Sequence, residues 1–159
     1  MYDIGLLFEV IPPYPGQNIA IIVDEAHQKS VRKFVDFCHT IDANLYIKYL
    51  EVAHDYHDDL VHEESFSFEN DVYNRKSMQY DFLFLLANMD DVNCLKEISK
   101  KIYRAIKNAA NLFVVVKKQD TNTVETLLEN NNFVAINNID LDTVFDAISA
   151  KKMHGWMKV

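Results

Sequence analysis

Ile19-Ala20-Ile21-Ile22-Val23 constrains the fold more than any other stretch: five apolar residues in succession, four of them β-branched. A strand with one wet face alternates polar and apolar side chains, so an unbroken run describes a strand covered on both faces, as in a parallel sheet packed between helices. Phe82 to Ala87 and Leu112 to Val116 repeat the pattern, and Leu45 to Leu50 reads as a further strand. Between these runs the period changes. Val31, Phe34, Val35 and Cys38 fall at i, i+3, i+4 and i+7, which predicts a helix from about Glu25 to His39 with one apolar stripe. Leu95, Ile98, Ile102, Ala105 and Ile106 mark a second helix, with Asp90 and Asp91 at its start and Arg104 and Lys107 at its end, the signs that the helix dipole favours. Strands alternating with amphipathic helices imply right-handed βαβ crossovers. The expectation is an α/β protein, a Rossmann-like three-layer αβα sandwich with a mostly parallel sheet, and 159 residues suit a single domain over 1–159.

The flanks are less regular. All three prolines lie between Pro12 and Pro15, so residues 1–17 read as an extended lead-in ending in a turn at Gly16. A short helix carrying Val124, Leu127 and Leu128 is expected after the Leu112 strand, then strands at Phe133 to Ile136 and Val144 to Ile148. From Glu51 to Gln79 the chain is acidic and aromatic without clear period; a helical piece near Asp55 to Glu64 and a short strand near Phe66 to Phe68 are the best reading.

A formal net charge of −8 repels phosphate backbones and anionic lipid headgroups alike, which argues against nucleic acid and membrane surfaces as partners. No apolar run reaches bilayer length, and Asp3 and Glu9 stand where a secretory signal would carry Lys or Arg. Cys38 and Cys94 form no CxxC or zinc spacing, so a reducing, cytoplasmic setting is expected. Cys38, on an apolar helical stripe, reads as a small core residue rather than a nucleophile.

Tyr80-Asp81-Phe82-Leu83-Phe84-Leu85 resembles the fourth strand of class I S-adenosylmethionine-dependent methyltransferases, which commonly opens with Tyr-Asp. Ile102 to Lys107 is similar to the helix end that leads into that family's Leu-Lys-Pro-Gly-Gly turn, here Asn108-Ala109-Ala110-Asn111. Leu112 to Lys117, Thr123 to Asn130 and Phe133 to Lys151 follow as its fifth strand, next helix and final strand pair. The resemblance, over residues 80–151, implies a methyltransferase-like Rossmann domain. It also implies an S-adenosylmethionine site made by a Gly-x-Gly-x-Gly loop after the first strand and an acid at the end of the second, the position of Glu51. The first strand here runs instead into Asp24-Glu25-Ala26-His27-Gln28, and Gly5, Gly16 and Gly155 are the only glycines. Without glycine the backbone can neither turn as tightly nor approach a ligand as closely, and no P-loop can be written either. The leading expectation is therefore a methyltransferase-like domain without ordinary cofactor binding, acting as a binding or assembly module toward a protein partner or its own copies. An active methyltransferase with an atypical loop would use Asp24, Glu51 and Asn88.

Other constellations have simpler readings. Asp24-Glu25-Ala26-His27 spells a helicase DEAH box, but no lysine loop accompanies it; Asp24 and Glu25 suffice as the cap and first turn of a helix. His54, Asp58 and His62 would share a helical face, with His57 beside them, and imidazole with carboxylate suits a divalent metal, so a metal protein is a third expectation. Lys96, Lys100, Arg104 and Lys107 read as the solvated face of their helix. Trp156, with Met153 and Met157, could anchor a partner chain or fold back.

Overall fold

A computed structural model describes residues 2–50, 61–66, 78–87 and 92–153. Its centre is a seven-stranded sheet of β1 (Asn18–Val23), β2 (Asn44–Leu50), β3 (Val61–Phe66), β4 (Tyr80–Leu86), β5 (Ile106–Lys117), β6 (Phe133–Asp140) and β7 (Phe145–Lys152), in spatial order β3-β2-β1-β4-β5-β7-β6. β1, β2, β3, β4 and β5 pair in parallel, while β7 runs antiparallel to both β5 and β6. The helices are α1 (Gly5–Phe8), α2 (Val31–Ile41), α3 (Val92–Ala105) and α4 (Thr121–Asn130).

The unbroken apolar runs are explained by two cores. Ala20 and Ile22 of β1, with Leu83, Leu85, Leu112 and Val114, pack against Leu95, Ile98 and Ile102 of α3 and Val124 and Leu128 of α4. Ile19, Ile21 and Val23, with Phe84, Phe113 and Val115, face the other way onto Phe34, Val35 and Cys38 of α2 and onto Ile4 and Leu7. Alternate residues of β1, β4 and β5 thus serve opposite faces, so neither face of these central runs tolerates a polar residue. Phe84 anchors the second core, its ring edge-on to Phe34 and stacked on Phe113, both at 4.8 Å between centroids. Along the amino ends of the strands runs a polar stitch. The Asn44 side-chain amide donates to Asn18 Oδ1 at 3.1 Å, the Asn18 amide N–H donates to Asp81 Oδ2 at 2.8 Å, and Lys107 reaches Asp81 Oδ1 at 2.9 Å.

Several expectations need correction. Residues 25–39 do not form one helix: Glu25–Ser30 is a 3₁₀ turn and α2 begins only at Val31. The lead-in is not simply extended, since it contains α1 and buries Tyr2, Ile4, Leu7 and Ile11. Asn108-Ala109-Ala110-Asn111 is no turn between helix and strand but part of β5, where a bulge lets Tyr80 pair with Ile106 and Phe82 with Asn111; Ala109 takes a left-handed φ of 64° there. Lys107 accordingly lies on β5 and not on the helix face. β6 and β7 extend well beyond the two short strands expected. Of the helical piece at 55–64, residues 61–64 are strand, in parallel register with β2; 55–60 lie outside the described residues, as do Asp90, Asp91, Trp156 and Met157. Among the described residues no helix is long and apolar enough to cross a membrane.

Candidate functional site

In open α/β sheets ligands gather at the carboxyl ends of the parallel strands. Here the ends of β1 and β4 are tied together, because the Asp24 amide donates to the Leu86 carbonyl at 3.2 Å. Asp24 itself stays extended, and its Oδ1 accepts from the His27 amide at 3.1 Å, capping the 3₁₀ turn that follows. That short-range bond favours tight i-to-i+3 winding over an immediate α-helix. It carries the His27 side chain inward, to 1% exposure.

The inward His27 meets the start of the chain. Its Nδ1 lies 2.9 Å from the Tyr2 hydroxyl, which also accepts from Ser30 Oγ at 3.4 Å. The Tyr2 ring packs 5.8 Å from His27 and edge-on to Phe145 at 5.3 Å, and His27 in turn is 5.7 Å from Phe145. Phe145 opens β7 opposite Lys117, the last residue of β5, so the three rings link the mouth of β1 to the end of β5. Burial pushes the Tyr2 hydroxyl up to about 12. Asp3, bonded to Lys33 at 3.0 Å, and Phe8, stacked on Phe37 and edge-on to Phe34, hold the segment down. In the same 3₁₀ turn, Gln28 has its side-chain nitrogen buried without a hydrogen-bond partner among the described residues.

A second polar group sits at the same edge. Lys118 Nζ lies 2.5 Å from Asp140 Oδ1 and 2.6 Å from Asp146 Oδ1, and Asp146 Oδ2 accepts from Thr121 at 3.2 Å and from Asn138 at 3.1 Å. Burial raises the Asp146 carboxyl, but the bonds from Lys118, Asn138 and Thr121 outweigh it and leave the group below the usual carboxylate range. Bonds to Asp140 and Asp146 raise Lys118. The network bridges the turn after β5, α4, β6 and β7.

Of the residues singled out in the sequence, Asp24 stands at the β1 mouth. Glu51 and Asn88 follow the ends of β2 and β4 but lie outside the described residues, as do His54, His57 and Asp58. His62 is on β3, paired in register with Tyr46, so the helical face expected to align it with His54 and Asp58 does not form there. Among the described residues no group of three or more His, Cys, Asp or Glu is arranged to hold a metal. Lys96, Lys100 and Arg104 are exposed on α3, and Cys38 is buried. Sequence reasoning missed Tyr2, Ser30, Lys118 and Asp146, whose bonds to His27, Thr121 and one another span 25 to 28 residues, and Phe145, whose ring partners Tyr2 and His27 lie farther off still; such separations leave no local pattern.

No protein-family model matches the sequence, and no curated protein matches it at a significant level. Solved structures do match its fold. Phosphoethanolamine N-methyltransferase 2 of Haemonchus contortus, determined with S-adenosyl-L-methionine, superposes with a TM-score of 0.70 at 10% identity, covering 94% of this chain and 52% of that one. This chain thus spans about half the length of that enzyme. A SAM-dependent methyltransferase from Aquifex aeolicus matches with a TM-score of 0.66 and 11% identity over 96% of this chain and 90% of that one. One from Mesorhizobium loti gives 0.68 and 11% over 92% and 96%. The fold is that of class I S-adenosylmethionine-dependent methyltransferases. In this methyltransferase fold, the first strand's mouth is where the family resemblance implies a glycine loop, and in this chain that position holds the 3₁₀ turn with the buried His27.

Proposed function

We propose that this methyltransferase-fold domain does without ordinary S-adenosylmethionine binding and acts in the cytoplasm as a binding or assembly module for a protein partner or a second copy of itself. The carrying observation is the cluster of Tyr2, His27 and Phe145 at the carboxyl end of β1. An adenosyl cofactor held in the family's manner needs backbone without Cβ at its closest approach. Ala26, His27 and Gln28 all carry Cβ atoms there, and the residues present do not fit the group. The net charge of −8 favours a protein partner over nucleic acid or an anionic membrane.

One observation favours a second reading, an active methyltransferase with an atypical loop: the buried Gln28 nitrogen, without a partner among the described residues, is a donor left open in the turn at this mouth. Thermal unfolding with S-adenosylmethionine and S-adenosylhomocysteine separates the two. A ligand at about 100 times its Kd stabilises by roughly 2.7 kcal/mol, which for a domain of this size raises Tm by about 5–11 °C. The module reading expects no shift with either compound, together with a concentration-dependent oligomer or a captured protein partner. A shift that disappears in Gln28→Ala replaces it with the second reading.

A further inference from the structure

On the helix layer opposite the Tyr2–His27 cluster, α3 and α4 leave between them a groove of about 670 Å³, within the range of small-molecule sites. Its chemistry is distinctive for a protein with a net charge of −8. The α4 wall presents Asn122, Thr126 and Asn130 at i, i+4 and i+8, Leu127 gives an apolar strip, and Lys96 of α3 supplies the groove's one charged side chain among the described residues.

These polar groups are not engaged elsewhere. Among the described residues Lys96 makes no ion pair, and the side chains of Asn122, Thr126 and Asn130 make no hydrogen bond. Asn131, at the same wall, has its side-chain nitrogen buried without a hydrogen-bond partner among the described residues. Exposed amides are satisfied by water, but a buried donor left unbonded is costly, and a small turn of the Asn131 side chain toward the groove it lines would bring that donor to a ligand oxygen.

We propose that this groove binds a small polyhydroxylated anion, a sugar acid or sugar phosphate. Carboxamides and hydroxyls both donate and accept, which is what a ring of hydroxyl groups requires. Successive rungs on α4 stand about 6 Å apart, a spacing close to the breadth of a sugar ring, so neighbouring rungs grip its opposite edges. Leu127 meets the C–H face of the ring, and Lys96 receives the carboxylate or phosphate through a charge-assisted bond. Among the described residues one cation stands with several neutral polar groups, a set that selects a ligand with one acidic group and many hydroxyls over a bare anion or a polyanion.

The test is titration of the whole chain with glucuronate, glucose 6-phosphate, glucose and inorganic phosphate, followed by backbone amide shifts in ¹⁵N-labelled protein. Saturable shifts at residues 122–131 are expected with at least one acidic sugar, at an affinity about tenfold above that of glucose. Lys96→Ala should bring the acidic sugar down to the level of glucose, and Asn131→Leu should weaken both sugars. The stronger of the two acidic sugars identifies the acidic group. Absence of saturable shifts with both acidic sugars up to about 20 mM overturns the proposal. Equal affinity for inorganic phosphate and glucose 6-phosphate also overturns it, since Lys96 would then be binding an anion without reading a sugar.

Discussion

Replacing Tyr2 by Phe keeps the ring against His27 and Phe145 and removes only the hydroxyl that bonds His27 Nδ1 at 2.9 Å and accepts from Ser30 at 3.4 Å. At neutral pH the loss of a buried hydrogen bond should destabilise by about 1 kcal/mol, lowering Tm by roughly 2–4 °C. Alkali reverses the order. The buried hydroxyl titrates at about 12 in the folded chain against the ordinary 10. A folded-state pKa above the unfolded value means the stabilisation is complete below pH 10 and drains away as pH climbs toward 12. By pH 11 the wild type has lost about 1.4 kcal/mol through this group, and by pH 12 about 2.3 kcal/mol, whereas the Phe variant has no such group to titrate. Cys38, also held near 12 by burial, weakens both proteins equally and cancels in the comparison. Urea melts at each pH should therefore give stability curves that cross near about pH 11. Curves that stay parallel from pH 9 to pH 12 would refute the claim that this hydroxyl is buried and bonded in the folded state.

Asp146→Asn should destabilise the fold at pH 7 by about 1–3 kcal/mol, because the Lys118, Thr121 and Asn138 donors lose their shared carboxylate. As the Asp146 carboxyl is depressed in the folded state, its contribution is present above the ordinary value of about 4 and lost as pH falls through the lower folded value. Acid titration of Tm should thus be steeper for wild type than for the variant, and equal slopes would contradict the network. Phe84→Ala, at a fully buried position between Phe34 and Phe113, should remove about 3–5 kcal/mol and roughly 6–20 °C of Tm. A loss below about 1 kcal/mol in urea would show that this side chain is not at the core centre.

What was legible in the sequence is what local physics decides. The β1, β4 and β5 runs and the apolar faces of α2 and α3 announce themselves because burial on two faces, or on one stripe, leaves a period that no other arrangement shares. The misreadings fall where distant contacts override that period. Val31 to Cys38 has helical spacing, but the preceding turn tightens because Asp24 caps it and His27 is drawn to Tyr2, 25 residues away. Residues 108–111 look like a lost turn, yet pairing with β4 keeps them in the sheet as a bulge. Ala109 is held at positive φ there by its neighbours rather than by its own preference. Asp24 was visible as a candidate because acids at strand ends are conspicuous; the Tyr2, Ser30 and Phe145 partners that decide what its loop can hold were not, having no mutual spacing to read.

The placement of β7 between β5 and β6 governs the order in which the molecule can be completed. Among the described strands β6 pairs with β7 alone, and β7 is the later strand in the chain. On a ribosome, residues 133–140 would emerge with no backbone partner and wait, ladder groups bare, until residues 145–152 followed. During that interval the nascent β5 edge is equally open, since its outer neighbour is the same missing strand. Delay at this point, by a pause in translation or a cut between Asp140 and Phe145, would leave two adhesive edges exposed on an otherwise finished sheet.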